Sequence, residues 1–405
     1  MFGSSCPQQL GGRASVYNTD VTEHQIQDET SEACLSLCIW APKDTAKEGS
    51  TKKLPVIVFI TGGASLVGGA TVPYQNPTPW VESSKRHIVH MRLHESSYHL
   101  NVFCFPNAAG LNPHERNLGF LDHRLGLEWV QQHIASFGGD QSRMTHFGQS
   151  AGARSIDCHA FLHPEKPLVR NLILHSGCAL PPLPVNDPEG KHFSALAKAL
   201  GFLGHDAVAE LEFMRHQPPQ ELLEAIQHHW ATEKKPFLSF RPVVDNFILF
   251  DDYEDRAKAG NFSELITKDY FLGPMVAMAC ATANDLLNNR ARSTHVTTFH
   301  FLLEYYAPAG TSSFPNISPR PWLRAYHSSD MPLIFGTHDW ARGPSTPLEE
   351  KVSRAWQDLY VAFGGDGPDK LRKMGWNDMS EGVGIALGGG EKGWETVSLE
   401  EIDNR

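Results

Sequence analysis

The stretch Arg143-Met144-Thr145-His146-Phe147-Gly148-Gln149-Ser150-Ala151-Gly152-Ala153 carries a short apolar strand up to a serine set between glycines and then runs on as a helix pattern. This is the sequence form of a nucleophile elbow, and it makes Ser150 a candidate catalytic nucleophile. A free serine hydroxyl is a weak nucleophile. Small neighbours at 148 and 152 let a strained turn project it toward a base. In a chain with 34 glycines, about 0.2 chance matches to Gly-x-Ser-x-Gly are expected, so the pentapeptide needs support from its surroundings.

The surroundings alternate between strand and helix patterns. Candidate strands are Leu54 to Ile60, Ile88 to Met91, Arg143 to Phe147, Leu172 to His175 and Thr297 to Leu303, with helices such as Asp122 to Ala135 and Gly152 to Phe161 between them. Such alternation predicts an α/β protein with a mostly parallel central sheet covered by helices on both faces. Residues 190–236 read as helical and form a candidate cap over the site. Pro181 to Pro188 reads as an exposed connection, and the chain is expected to form one domain over 1–405. Gly388-Gly389-Gly390 follows no strand pattern and lacks a Lys-Ser/Thr ending, so it reads as a flexible turn and not as a phosphate cradle.

Several runs together resemble the type-B carboxylesterase and cholinesterase-like family: Asn117-Leu118-Gly119-Phe120-Leu121-Asp122-His123-Arg124, Leu127-Glu128-Trp129-Val130, Phe137-Gly138-Gly139-Asp140 and the elbow. Further matches follow in the family's order, among them Ser31-Glu32-Ala33-Cys34-Leu35, Pro242-Val243-Val244-Asp245, Gly260-Asn261-Phe262 and Ala325-Tyr326-His327-Ser328-Ser329-Asp330-Met331-Pro332-Leu333-Ile334-Phe335-Gly336. Phe105-Pro106-Asn107-Ala108-Ala109-Gly110 is similar to the fungal members. The resemblance covers about residues 6–376. It implies an α/β-hydrolase fold and a serine carboxylic ester hydrolase that needs no metal and no organic cofactor.

Acyl transfer by a serine requires a base, an acid that fixes the base's tautomer, and donors for the oxyanion. Ile60-Thr61-Gly62-Gly63-Ala64 follows the first strong strand, where small residues let the N–H groups of Gly63 and Ala64 approach a substrate carbonyl oxygen; the N–H of Ala151 completes the set. His327 lies 177 residues after the serine, in a segment resembling the family's catalytic-histidine segment, and is the expected base. The acid is unknown. Gly260-Asn261-Phe262-Ser263-Glu264 passes directly into Leu265-Ile266-Thr267-Lys268-Asp269-Tyr270-Phe271, which resembles a segment the family places far downstream. The block between, with a core strand, the acid and part of the cap, is missing by that comparison. Glu264 and Asp269 are the nearest carboxylates, and each reads as a solvated surface charge. The sheet is therefore expected to be incomplete, and the β-rich segment that opens family members is lacking as well. A second reading stays open: an impaired or inactive cholinesterase-like binding protein, or the product of a faulty gene model.

At 405 residues and 41% hydrophobic content the chain can bury a substantial core. Its net charge of −11, with no block of consecutive basic residues, argues against nucleic acid or an anionic membrane as partner. An uncharged or cationic small molecule fits better, and esters of small or medium lipophilic alcohols are the default substrates. The N-terminus lacks a basic segment followed by an apolar stretch, and no segment offers the ~18 apolar residues of a membrane helix, so a cytoplasmic location is the default expectation. The resemblance pulls the other way: Cys6 and Cys34 stand where secreted relatives form a disulfide. Cys38, Cys104, Cys158, Cys178 and Cys280 lack zinc-site spacing and read as buried thiols. The sequons at Asn261 and Asn316 are explained by chance.

Overall fold

Leu54-Pro55-Val56-Ile57-Val58-Phe59-Ile60 is a β-branched and aromatic run that can be buried on both faces, and it forms a central strand in which every residue after Leu54 is buried. The computed structural model describes residues 3–8, 17, 20–43, 45, 53–84, 87–91, 101–164, 166–175, 177, 179, 187, 189–232, 235–259, 270–272, 294–296, 314–317, 327–377, 381, 383–388 and 390–398. A 7-stranded sheet has the order β1-β3-β2-β4-β5-β6-β7. Its strands are β1 Leu37–Trp40, β2 Leu54–Ile60, β3 His87–Met91, β4 Gly139–Gln149, β5 Asn171–His175, β6 Tyr270–Leu272 and β7 Thr294–Val296. Only β1 on β3 is antiparallel; the other pairs are parallel.

The side-chain alternation of the central strands sorts two cores. Val56, Val58, Ile60, Met144, Leu172 and Leu174 face the helices Leu118–His133 and Ala151–Leu162, where Leu127, Val130 and Ile156 meet them. Ile57, Phe59, Phe147 and Ile173 face the opposite way, onto Trp80, Phe335 and the Trp356, Leu359, Tyr360 and Phe363 of the long helix Pro347–Asp366. Helices on both faces of a mostly parallel sheet give the three-layer arrangement expected from the sequence. A third cluster joins the helices Lys191–Ala199, Ala207–Arg215 and Pro219–Ala231 through Phe193, Leu196, Met214, Leu222 and Ile226. These are the helices expected between 190 and 236.

On the far side of β5 the sheet continues but thins. β6 and β7 contribute 3 residues each, against 7 in β2 and 11 in β4. Tyr270–Leu272 pairs in parallel with Leu172, Ile173 and Leu174. The place beside β5, where the sequence reading expected the sheet to be incomplete, is thus taken by β6. The expected strand Thr297 to Leu303, the carboxylates Glu264 and Asp269, and Cys178 and Cys280 lie outside the described residues.

Contrary to the expectation that no strand precedes it, Gly388 directly follows the strand β8 Val383–Leu387, and with Gly390 it lies in the hairpin connection to β9 Trp394–Ser398, where the Gly388 N–H donates to the Gly393 carbonyl at 2.7 Å; the short run carried too few residues to read as a strand. Cys6 and Cys34 form a disulfide, while Cys104 and Cys158 are buried and Cys38 is half-buried. Asn316 is buried and its side-chain amide donates to the Gly343 carbonyl at 3.0 Å, which argues against a glycan there. No helix among the described residues is long and apolar enough to cross a membrane.

Candidate active site

Ser150 stands between the end of β4 and the helix Ala151–Leu162, with φ 57° and ψ −123°. A serine in that region is strained, and the strain is held in place by packing around it. A Cβ on Gly152 would sit 2.5 Å from the Ile60 carbonyl oxygen and 2.6 Å from that of Thr61. Only glycine lets the helix begin so close to the end of β2. The Ser150 N–H donates to the His175 carbonyl at 2.7 Å, fixing the turn to the neighbouring strand.

His327 comes from the other side, on the turn 327–330 ahead of the helix Met331–Phe335. Its Nε2 lies 2.6 Å from Ser150 Oγ, the geometry of a hydroxyl donating to an imidazole. Two contacts hold the histidine turn. The Tyr17 hydroxyl donates to the His327 main-chain carbonyl at 2.6 Å, and the Gln149 side-chain amide donates to Ser328 Oγ at 2.8 Å while lying 3.3 Å from His327 Nε2. Ser328 itself has φ 72°, so the turn is also strained. Among the described residues no carboxylate hydrogen-bonds His327 Nδ1. Burial among protein atoms lowers the pKa of His327; the Asp330 carboxylate opposes that shift and His175 adds to it. A lowered pKa leaves the ring neutral, as a proton acceptor must be, over a wider pH range.

The expected oxyanion residues fall partly into the same cavity. Gly63 and Ala64 line it together with Ser150 and His327, and Ala151 is the first residue of the helix after the elbow. Gly63 has φ 133° and Ala64 φ 57°. Their turn is closed by the N–H groups of Leu66 and Val67 donating to the Gly63 carbonyl at 2.9 and 3.1 Å. The cavity has a volume of about 400 Å³. One wall is formed by Ile226, Trp230, Phe237 and Phe240 from the three-helix cluster and the segment after it. The rings of Trp230 and Phe237 stack at 5.7 Å and 10°.

Beneath the nucleophile lies a buried polar chain that sequence reasoning did not single out. Asp330 accepts a hydrogen bond from His175 Nε2, and the other nitrogen of His175 is 2.9 Å from the Tyr360 hydroxyl. All three side chains are buried. Asp330 stood inside the quoted histidine segment, but His175 lies 155 residues from it and 185 residues from Tyr360, so no local pattern marks the group. The same holds for Tyr17, 310 residues from His327.

The carboxylesterase family profile matches residues 1–273. Over 395 residues the chain is 36% identical to the chlorogenic acid esterase of Aspergillus niger, covering 91% of this chain and 73% of that protein. It is 36% identical over 390 residues to secreted lipase 5 of Gibberella zeae, covering 86% of this chain and 70% of that protein. An inactive carboxylesterase-like protein of Byssochlamys spectabilis is 29% identical over 338 residues, covering 78% of this chain and 55% of that protein.

Proposed function

The chain belongs to the carboxylesterase family and is a carboxylic ester hydrolase, and we propose that it works through an acyl-enzyme on Ser150 with His327 as the base. The observation that carries this reading is the 2.6 Å approach of His327 Nε2 to Ser150 Oγ inside a cavity of about 400 Å³. Ser150 Oγ bonds to the ester carbonyl carbon as its proton passes to His327 Nε2. The N–H groups of Gly63, Ala64 and Ala151 receive the resulting oxyanion. The tetrahedral species breaks its bond to the alcohol oxygen, which takes the proton from His327 and leaves. Water then attacks the acyl carbon with His327 again accepting the proton, and the proton returns to Ser150 as the carboxylic acid departs.

The aromatic wall of Trp230, Phe237 and Phe240 favours an ester with a planar aromatic or lipophilic half, in line with the relative named a chlorogenic acid esterase. The Cys6–Cys34 disulfide and the relative named a secreted lipase favour an oxidising, extracellular setting over the cytoplasm.

The test is p-nitrophenyl butyrate hydrolysis and fluorophosphonate labelling of the folded chain beside Ser150→Ala and His327→Ala. Each substitution is expected to lower turnover at least about 10⁴-fold, and Ser150→Ala to abolish labelling. A second reading, a catalytically silent binding protein, is favoured by the inactive relative and by the missing carboxylate partner at His327 Nδ1 among the described residues. Folded wild type that neither labels nor hydrolyses would select it.

A further inference from the structure

We propose that Gln8 is a positioning residue for the oxyanion donors, its side-chain amide clamping Gly68 and through it holding the Gly63–Ala64 turn where negative charge develops during acyl transfer. The proposal rests on the acyl-enzyme reading above and adds to it the group that keeps those donors in place.

Gln8 is buried, and both polar atoms of its amide are engaged. Its Nε2 donates to the Gly68 carbonyl at 2.8 Å and to the Cys6 carbonyl at 3.2 Å, and its Oε1 accepts the Gly68 N–H at 2.9 Å. Side chain and backbone thus pair as a pair of strands would, and only one orientation of the amide satisfies both Gly68 groups. Gly68 has φ 128°, in the range that favours glycine. From Gly68 the hold passes one residue back. The Val67 N–H donates to the Gly63 carbonyl at 3.1 Å, and the Val67 carbonyl lies so close to Gly63 that a Cβ there would stand 1.7 Å from its oxygen. Gly63 and Ala64 therefore sit where the Val67–Gly68 peptide lets them. Ala64 and Val67 are exposed and Gly63 has no side chain, so packing gives the turn little hold and hydrogen bonds carry much of its placement.

The clamp is itself anchored. The Ser5 N–H donates to the Glu29 carbonyl at 3.0 Å, the Ser31 N–H donates to the Ser5 carbonyl at 2.8 Å, and Ser5 Oγ donates to the Asp28 carboxylate at 2.9 Å. Cys6, two residues before Gln8, is bonded to Cys34, and Ser5, Cys6 and Cys34 are all buried. Gly69, next to the clamped residue, lies against the same segment: a Cβ on it would stand 2.7 Å from Ser5 Oγ. Gln8 therefore projects from a fixed segment and not from a loose end, which a positioning group requires. The donors act only at about 2.7–3.1 Å from the oxyanion. A small drift of their turn is thus felt in the transition state more than in ester binding.

The experiment compares the full chain with Gln8→Met, which fills nearly the same space without the amide's hydrogen bonds. Turnover of p-nitrophenyl butyrate is taken per site labelled to completion by a fluorophosphonate, so a smaller folded fraction does not register. Beside it runs inhibition by a phenyl trifluoromethyl ketone: Ser150 Oγ bonds to its carbonyl carbon as the serine proton passes to His327, leaving an oxyanion against Gly63, Ala64 and Ala151. The expected result is kcat reduced on the order of 10–10²-fold, KM little changed, and the ketone bound more weakly by the same factor. Unchanged kcat in folded Gln8→Met, whether or not KM rises, overturns the proposal. So does a lowered kcat with unchanged ketone affinity, because the loss then lies elsewhere than at the oxyanion. Should Gln8→Met lack a cooperative melt, Gln8→Asn carries the test: its amide stops a methylene short of Gly68, the same paired loss is expected, and wild-type values overturn the proposal. Failure of the acyl-enzyme reading is distinguishable, since then the folded wild type itself neither labels nor binds the ketone.

Discussion

At position 62 a Cβ would lie 2.3 Å from Gln149 Oε1, 2.7 Å from Ser150 Cβ and 2.9 Å from the Gln149 carbonyl oxygen. The Gln149 amide could swing away, but the backbone oxygen and the strained serine cannot. Gly62→Ala should therefore push the loop carrying Gly63 and Ala64 off the elbow, lowering kcat on p-nitrophenyl butyrate about 10²–10³-fold while the chain stays folded by circular dichroism. An alanine variant with wild-type kcat would remove Gly63 and Ala64 from the oxyanion role. The serine and the histidine that meet here were both legible in the sequence, because each sits in a local pattern: Ser150 between glycines after an apolar strand, His327 in its flanking segment. Gln149 was visible only as the variable position of the pentapeptide. Its partner Ser328 is 179 residues away, and nothing near either residue announces the bond.

The long helix Pro347–Asp366 shows how an element that no motif singled out supports the site. Its start is a reciprocal cap: the Glu349 N–H donates to Thr346 Oγ1 at 3.2 Å and the Thr346 N–H donates to Glu349 Oε2 at 2.8 Å. The second Glu349 oxygen accepts the Asn316 N–H at 2.8 Å, and the side chain is fully buried. Glu349→Ala strands two backbone donors and should cost about 2–5 kcal/mol, against about 1 kcal/mol for Thr346→Ala. Urea unfolding would check both, and equal losses would contradict the double role of Glu349. β2 and β5 were legible nearly residue for residue, since Leu54 to Ile60 and Leu172 to His175 are apolar runs that fit a buried strand, whereas β4 runs Gly139–Gln149 where only Arg143 to Phe147 was expected, because its polar first residues carry no strand pattern. The edge was not: β6 and β7 are three-residue strands whose place is set by pairing to β5 and to each other rather than by any length of pattern.

For the molecule as a whole, histidines set the response to acid. Burial lowers His159 to about 3 and His146 well below its ordinary range, and His24 also falls to about 3. Unfolded, each would titrate near 6.5, roughly the value for a free side chain. Between the folded value and about 6.5 the unfolded chain binds more protons, so stability present above that pH is lost as pH falls. Asp122 acts in the opposite sense: burial raises it to about 6, so it takes up its proton in the folded state first and offsets part of the loss as the pH drops below 6. Among the described residues His327 and His338 are lowered as well, and Asp358 is raised like Asp122, so five depressed histidines outweigh two raised carboxylates. Melting temperature should decline steadily once pH falls below about 6.5, and His159→Gln should flatten the decline; a flat profile down to pH 5 would refute the assignment.

The distances along the chain between the assembled residues also order events in time. The strands β2, β4 and β5 and the elbow lie within residues 54–175, a span that can pair while the rest is still being made. His327, and the Tyr360 that bonds His175, emerge much later, and Tyr17, although synthesised early, bonds to a carbonyl 310 residues downstream. On the proposed roles of Ser150 and His327, the nascent chain thus carries a shaped serine before its base is present. By the same proposal, hydrolytic competence arrives only when Tyr17 and the 327–330 turn close over a scaffold already built, so a chain released before residue 327 would expose the elbow and yet be chemically silent.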